Sequence, residues 1–225
     1  MNYLIGDSRV GGFKNKLSKF EVEDVWFKPG GRFENMNELV LDLTILHHGE
    51  DNQRAHFYIW AGICNLTKKL RGDWYEEVIF STEEAENKRH ELHSKIEQLS
   101  RTVTNQYAFP IFCPIIPMEI KTWNEHRMSV GRTNRLVFHE EYEEMQKSLE
   151  EEVTILNNHL IKINNENGMA TPMLHNDFLH NRGKGRVSPR YKDLSDGCHA
   201  TDPLIKRFKK SLLAAIETNK KLQRG

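Results

Sequence analysis

Tyr3-Leu4-Ile5-Gly6-Asp7-Ser8-Arg9-Val10-Gly11-Gly12 opens the chain with an apolar run, a Gly-Asp-Ser triplet and two further glycines. The pattern is that of a buried strand turning sharply into a helix, with Ser8 at the turn. A serine there stands at the C-terminal end of a strand, where open α/β sheets hold their ligands. It also stands at a helix N-terminus, where free backbone N–H groups favour negative charge. A nucleophile whose attack creates an oxyanion suits that place. An N-cap serine would look the same, so a second element has to decide.

That element is Asp196-Gly197-Cys198-His199, just before the last helical segment. An Asp three residues ahead of a His, on a turn, can accept a hydrogen bond from the imidazole Nδ1–H. Nε2 is then free to take a proton from a serine hydroxyl, which is the logic of a Ser-His-Asp triad. Either element alone reads as an ordinary turn; the two together form a specific pattern.

With Gly6-Asp7-Ser8, Gly12 four residues on, and the terminal Asp196-x-x-His199, the chain resembles the SGNH, or GDSL-type, hydrolase family. The resemblance spans nearly the whole chain. It implies a three-layer α/β/α, flavodoxin-like fold and cleavage of a small acyl ester without metal or other cofactor. By the same resemblance Ser8 is the nucleophile, His199 the base and Asp196 its orienter. The oxyanion hole would use the Ser8 N–H, a glycine N–H after the second strand and an asparagine side chain after the third. Gly30 and Gly31 are both available, and Gly31 is preferred because it opens the next segment.

The asparagine is where the chain departs from the family pattern Gly-x-Asn-Asp. Here the text is Gly62-Ile63-Cys64-Asn65. Aligned without a gap, Cys64 stands in the place of the oxyanion Asn, and a thiol is a poor donor. Two outcomes stay open. A one-residue shift lets Asn65 serve and the site works as an esterase, or the site is crippled and the fold serves binding.

The rest of the sequence fills in the architecture. Helices are predicted over 10–19, 36–47, 83–103 and 134–164, and a last one begins at Asp202. Strands are predicted over 24–28, 57–61, 107–116 (weakened by Pro110) and 170–174. With residues 2–5 this makes about five strands separated by helices, hence one parallel sheet covered on both faces and a single domain over 1–225. The helix over 134–164 repeats its apolar residues at close to heptad spacing. It either packs on the sheet or pairs with a protein partner.

Composition excludes little. Of 225 residues, 32 are Lys or Arg and 32 Asp or Glu, so no net charge draws the chain to a polyanion. A local basic loop over 182–192, with Arg182, Arg186 and Arg190, is either a solvated loop or a phosphate- or RNA-binding element. Arg9 either faces an acidic substrate group or lies on the surface. His175, Asp177 and His180 match no standard metal spacing, so no metal is expected. Three widely spaced cysteines, no export signal and no run of about 18 apolar residues make an intracellular, cytoplasmic protein with reduced thiols the expectation.

Overall fold

The structure, a computed structural model, describes residues 1–47, 54–72, 75–181 and 187–223. A parallel sheet of four strands carries the fold, in the order β2-β1-β3-β6. The strands are β1 (Asn2–Gly6), β2 (Asp24–Phe27), β3 (His56–Trp60) and β6 (Phe109–Phe112). Between β2 and β3 runs α1 (Phe33–His47); after β3 come α2 (Ile63–Leu66) and a hairpin of β4 (Lys68–Arg71) and β5 (Glu76–Ile79). The helix α3 (Ala85–Asn105) leads into β6. Beyond β6 follow α4 (Ile120–Ser129), α5 (Tyr142–Glu166), α6 (Leu174–Phe178), the short pair β7 (Leu179–Asn181) and β8 (Val187–Pro189), and α7 (Asp202–Leu222).

Alternation along the strands builds the layers. Tyr58 and Trp60 of β3 reach α7: Trp60 meets Phe208 edge-on with ring centroids 5.5 Å apart, and Asn219 Nδ2 donates to the Tyr58 hydroxyl at 3.1 Å. The other face of the sheet is covered by α1 and α3, and the edge beyond β6 by α5. The stripe Leu92, Ile96, Leu99 and Val103 of α3 is buried, as its spacing predicts. Both β1 and β3 are buried at every position, so after their first residues, Asn2 and His56, they show no polar alternation. Gly6 ends β1 where a Cβ would fall 2.1 Å from the Trp60 carbonyl oxygen; no larger residue fits this turn.

The expected fifth strand over 170–174 is absent from the sheet. The free edge of β6 is closed by side-chain amides. Phe109 and Cys113 direct their N–H groups to β3 and the residue before it, so positions 110 and 112 face outward. Pro110 has no N–H to leave unpaired there, which is why an edge strand tolerates it. Phe112 bonds through both its N–H and its carbonyl to Asn164 of α5, at 2.8 and 2.7 Å. Asn157 does the same for Ile115, at 2.8 Å for both bonds. Ala170, in the segment expected to be the strand, is held the same way by Asn219 of α7, at 2.6 and 3.1 Å.

Two helices also differ from expectation. The segment expected to be helical over 10–19 is a 3-10 helix over Ser8–Phe13. The long helix begins at Tyr142, after a short 3-10 turn at His139–Glu141. Its stripe Tyr142, Met145, Leu149, Val153, Leu156, Leu160 and Ile163 is buried within the molecule, so it packs and does not project. The hairpin of β4 and β5 and the helix α4 carry no strong periodicity and were not legible in the sequence.

Candidate active site

The turn after β1 is fixed by its own side chains. Asp7 is extended and caps the 3-10 helix, accepting from the Arg9 N–H at 3.0 Å. The Arg9 guanidinium returns to the same carboxylate through two bonds, Nε to Oδ1 at 2.9 Å and Nη2 to Oδ2 at 2.6 Å. Its Nη1 donates to the Ile116 carbonyl at 3.1 Å, and the group lies 5.2 Å from the Trp60 ring centroid. Arg9 is only 4% exposed. It therefore neither faces a substrate nor lies on the surface: it is the buried partner of Asp7. Burial alone would lower its pKa, but Asp7 raises it and keeps the guanidinium charged.

The loop before α7 is equally self-contained. Asp196 Oδ1 accepts from the N–H groups of Cys198 and His199, at 2.9 and 2.8 Å. Oδ2 lies 2.7 Å from His199 Nδ1. Gly197, at φ 82°, closes the loop, and its carbonyl accepts from the Glu119 N–H at 2.7 Å. A Cβ there would sit 2.6 Å from the Trp123 nitrogen, so the loop is pressed directly onto the start of α4. Burial pushes the Asp196 carboxyl up, but the bonds from the His199 ring and the two backbone N–H groups outweigh it and hold the pKa at about 2.

The two loops meet. His199 Nε2 lies 3.0 Å from Ser8 Oγ, with the Trp123 ring 5.9 Å from the imidazole. Ser8 and His199 are half-buried and open to solvent. The chain of bonds Asp196–His199–Ser8 leaves Nε2 placed to accept the serine proton. Ser8 is the first residue of the 3-10 helix, so its own N–H has no intrahelical acceptor.

The opposite side of the site is arranged differently. The Gly31 N–H closes a turn onto the Lys28 carbonyl at 2.8 Å. Asn65 Oδ1 accepts from the Phe33 N–H at 3.1 Å, and its Nδ2 donates to Glu34 Oε2 at 3.0 Å. Both ends of this amide are thus engaged at the first turn of α1, where Arg32, the residue before the helix, brings no capping acceptor of its own. Cys64 is half-buried; burial and Asp7 push its thiol up, with Arg9 and Arg32 pulling the other way.

Of the basic loop, Arg182 and Arg186 lie outside the described residues. Arg190 does not project as a free cation: its Nε donates to the Leu179 carbonyl at 3.1 Å, and Nη1 lies 3.9 Å from Asp193. Tyr191 bonds inward to Glu150 and Gln146, both at 2.6 Å. Among the described residues no group of three or more His, Cys, Asp or Glu side chains gathers as a metal site, and no helix is long and apolar enough to cross a membrane. Sequence reasoning missed the Asp7–Arg9 pair and Trp123. Two opposite charges flanking Ser8 were a usable signal for the first; nothing marked the second.

Against solved structures the chain matches a presumed acylhydrolase from Bacteroides fragilis at 13% identity and a TM-score of 0.60, covering 98% of this chain and 87% of that one. A GDSL-like lipase from Bacteroides thetaiotaomicron matches at 11% identity and a TM-score of 0.60, with 96% and 87% covered. A member of the lipolytic G-D-S-L family from Veillonella parvula matches at 10% identity and a TM-score of 0.55, with 95% and 96% covered. The fold is that of the GDSL-type hydrolases. No family model and no curated sequence matches the chain. On the GDSL-type fold, Ser8 follows the first strand and the Asp196–His199 loop precedes the final helix, both at the C-terminal end of the sheet.

Proposed function

We propose that the protein is a serine-dependent ester or acyl hydrolase. The observation that carries this reading is the continuous bonding from Asp196 through His199 to Ser8, at 2.7 and 3.0 Å. In the reaction, His199 Nε2 takes the Ser8 proton as Oγ attacks the ester carbonyl. The proton passes to the leaving alcohol and the acyl group remains on Ser8. Water, deprotonated by the same imidazole, then releases the acid. Asp196 stays ionised, fixes Nδ1–H as donor and stabilises the imidazolium. The Ser8 N–H, at the start of the 3-10 helix and without an intrahelical acceptor, is available to the developing oxyanion.

The test is hydrolysis of 4-nitrophenyl acetate and butyrate by the native protein, Ser8→Ala and His199→Ala. Each substitution is expected to lower kcat/KM by a factor on the order of 10³ or more. A fluorophosphonate probe is expected to label the native protein and not Ser8→Ala. Equal rates in native protein and Ser8→Ala would reject the reading.

A second reading rests on the engagement of Gly31 and Asn65. With both expected donors held in local structure, the fold would serve as a binding module without turnover. Its partner class, protein or RNA, draws little support from Arg190, which is tied to the Leu179 carbonyl and shares the Asp193 carboxylate with Arg207. The same comparison of native protein with Ser8→Ala separates the two readings.

A further inference from the structure

Next to Asn65 the structure holds a cavity of about 200 Å³, lined on one side by Arg32 and on the other by residues of α3. Four cations border it, Arg32, Lys68, Lys88 and Lys95. Taken together the three lysines are balanced by three carboxylates: Lys68 and Lys88 share Glu84, at 3.2 and 3.0 Å, and Lys95 pairs with both Glu34 and Glu91. Four cations against three carboxylates leave one positive charge. That charge is Arg32. Its backbone N–H is bonded to Asn35, but among the described residues its guanidinium has no hydrogen-bond or ion-pair partner.

Arg32 also stands at the reacting end of the sheet. β2 lies beside β1, and the Lys28 N–H donates to the Gly6 carbonyl at 3.0 Å. Ser8 follows Gly6 by two residues and Arg32 follows Lys28 by four. Cys64, after the third strand, feels Asp7, Arg9 and Arg32 together. Arg9 is bound to Asp7, so Arg32 is the cation left to meet a ligand. A guanidinium presents a planar fork of N–H donors that matches a carboxylate in two-point contact.

We propose that Arg32 is a specificity-determining residue that selects esters carrying one anionic group, of carboxylate type, on the acyl chain or the alcohol. The inference rests on the hydrolase reading. Arg32 binds the remote anion while Ser8 attacks the ester carbonyl, so the charge acts on substrate position and not on bond making.

The experiment compares 4-nitrophenyl acetate with the mono-4-nitrophenyl ester of succinic acid, in native protein, Arg32→Gln, Arg32→Lys and Arg32→Glu. The readout is the ratio of kcat/KM for the anionic ester to that for the neutral one. Arg32→Gln is expected to lower the ratio about tenfold, mainly through KM, the size of a lost charge-assisted contact. Arg32→Lys should restore part of it and Arg32→Glu should lower it further. In native protein the ratio should fall as salt rises. An unchanged ratio across the three variants overturns the proposal while leaving the hydrolase reading intact. Ser8-independent hydrolysis of both esters removes the hydrolase reading and the proposal with it.

Discussion

The two halves of the candidate site are built on opposite plans. On the base side, Asp196, His199 and Ser8 bond to one another and every local contact turns them toward one point. On the side expected to hold the oxyanion, Gly31 and Asn65 are bonded elsewhere, one to its own turn and the other to the start of α1. The base side consists of two short loops, each closed by its own side chains. The oxyanion side depends on how two strand ends and a helix start are joined. A sequence motif can specify the first kind of arrangement by itself; the second changes with a shift of one residue.

The largest expected effect breaks the base side from beneath. Arg9→Ala leaves Asp7 buried without its partner, and loss of one member of a buried pair costs about 3–5 kcal/mol. Urea unfolding should show this as a lowered midpoint, and a stability within 1 kcal/mol of native would deny Arg9 its anchoring part. The next prediction repairs the oxyanion side. Cys64→Asn places an amide where the related pattern has one, and kcat/KM for 4-nitrophenyl esters should rise by about ten- to a hundredfold, in line with the worth of one donor. No gain would place the weakness elsewhere.

Acid acts on the scaffold before it acts on the Asp196 carboxylate. His56 is 3% exposed, and burial, with the nearby amino terminus, lowers its pKa from 6.5 to about 4. Between those values the unfolded chain binds a proton that the folded protein refuses. Stability is therefore full above 6.5 and falls as the pH drops toward 4, by up to about 1.4 kcal/mol per pH unit from this group. Asp196, at about 2, remains ionised throughout this range. Thermal melts between pH 7 and 4.5 should show the slope, and His56→Phe should reduce it, the remainder coming from His93, His159 and His175, whose pKa values burial also lowers. The smallest effect belongs to Asn65→Ala. Loss of the helix-end bonds should cost about 1 kcal/mol of stability, with kcat/KM changed by less than about threefold. A drop of about a hundredfold would instead assign Asn65 to the oxyanion.

The legible part of this molecule was what local pattern determines. The run Tyr3 to Ile5 with its Gly-Asp-Ser turn gave the first strand and the serine, and Asp196-x-x-His199 gave its partners. The buried stripe of α3 followed from spacing. The partner of Arg9, Asp7, lies two residues away and was legible; its burial was not, because the Trp60 ring and the Ile116 carbonyl that enclose the pair are far away in sequence. The fifth strand was misread because residues 170–174 have strand-like composition, while Asn219 and Asn164 hold Ala170 and Thr171 by side-chain bonds. A lone asparagine on a helix gives no sign of which distant backbone it will bind.

Those amides have a consequence for how the protein behaves in a crowded solution. A sheet edge with free N–H and carbonyl groups recruits strands from other molecules and seeds fibrillar association. Asn164 occupies these groups in advance at the end of β6, Asn157 does so for Ile115 just beyond it, and Pro110 removes one donor outright. Replacing Asn164 by Leu would keep the volume and strip the edge of its cover. The molecule is thus protected against self-templating on this flank by three residues outside the candidate site.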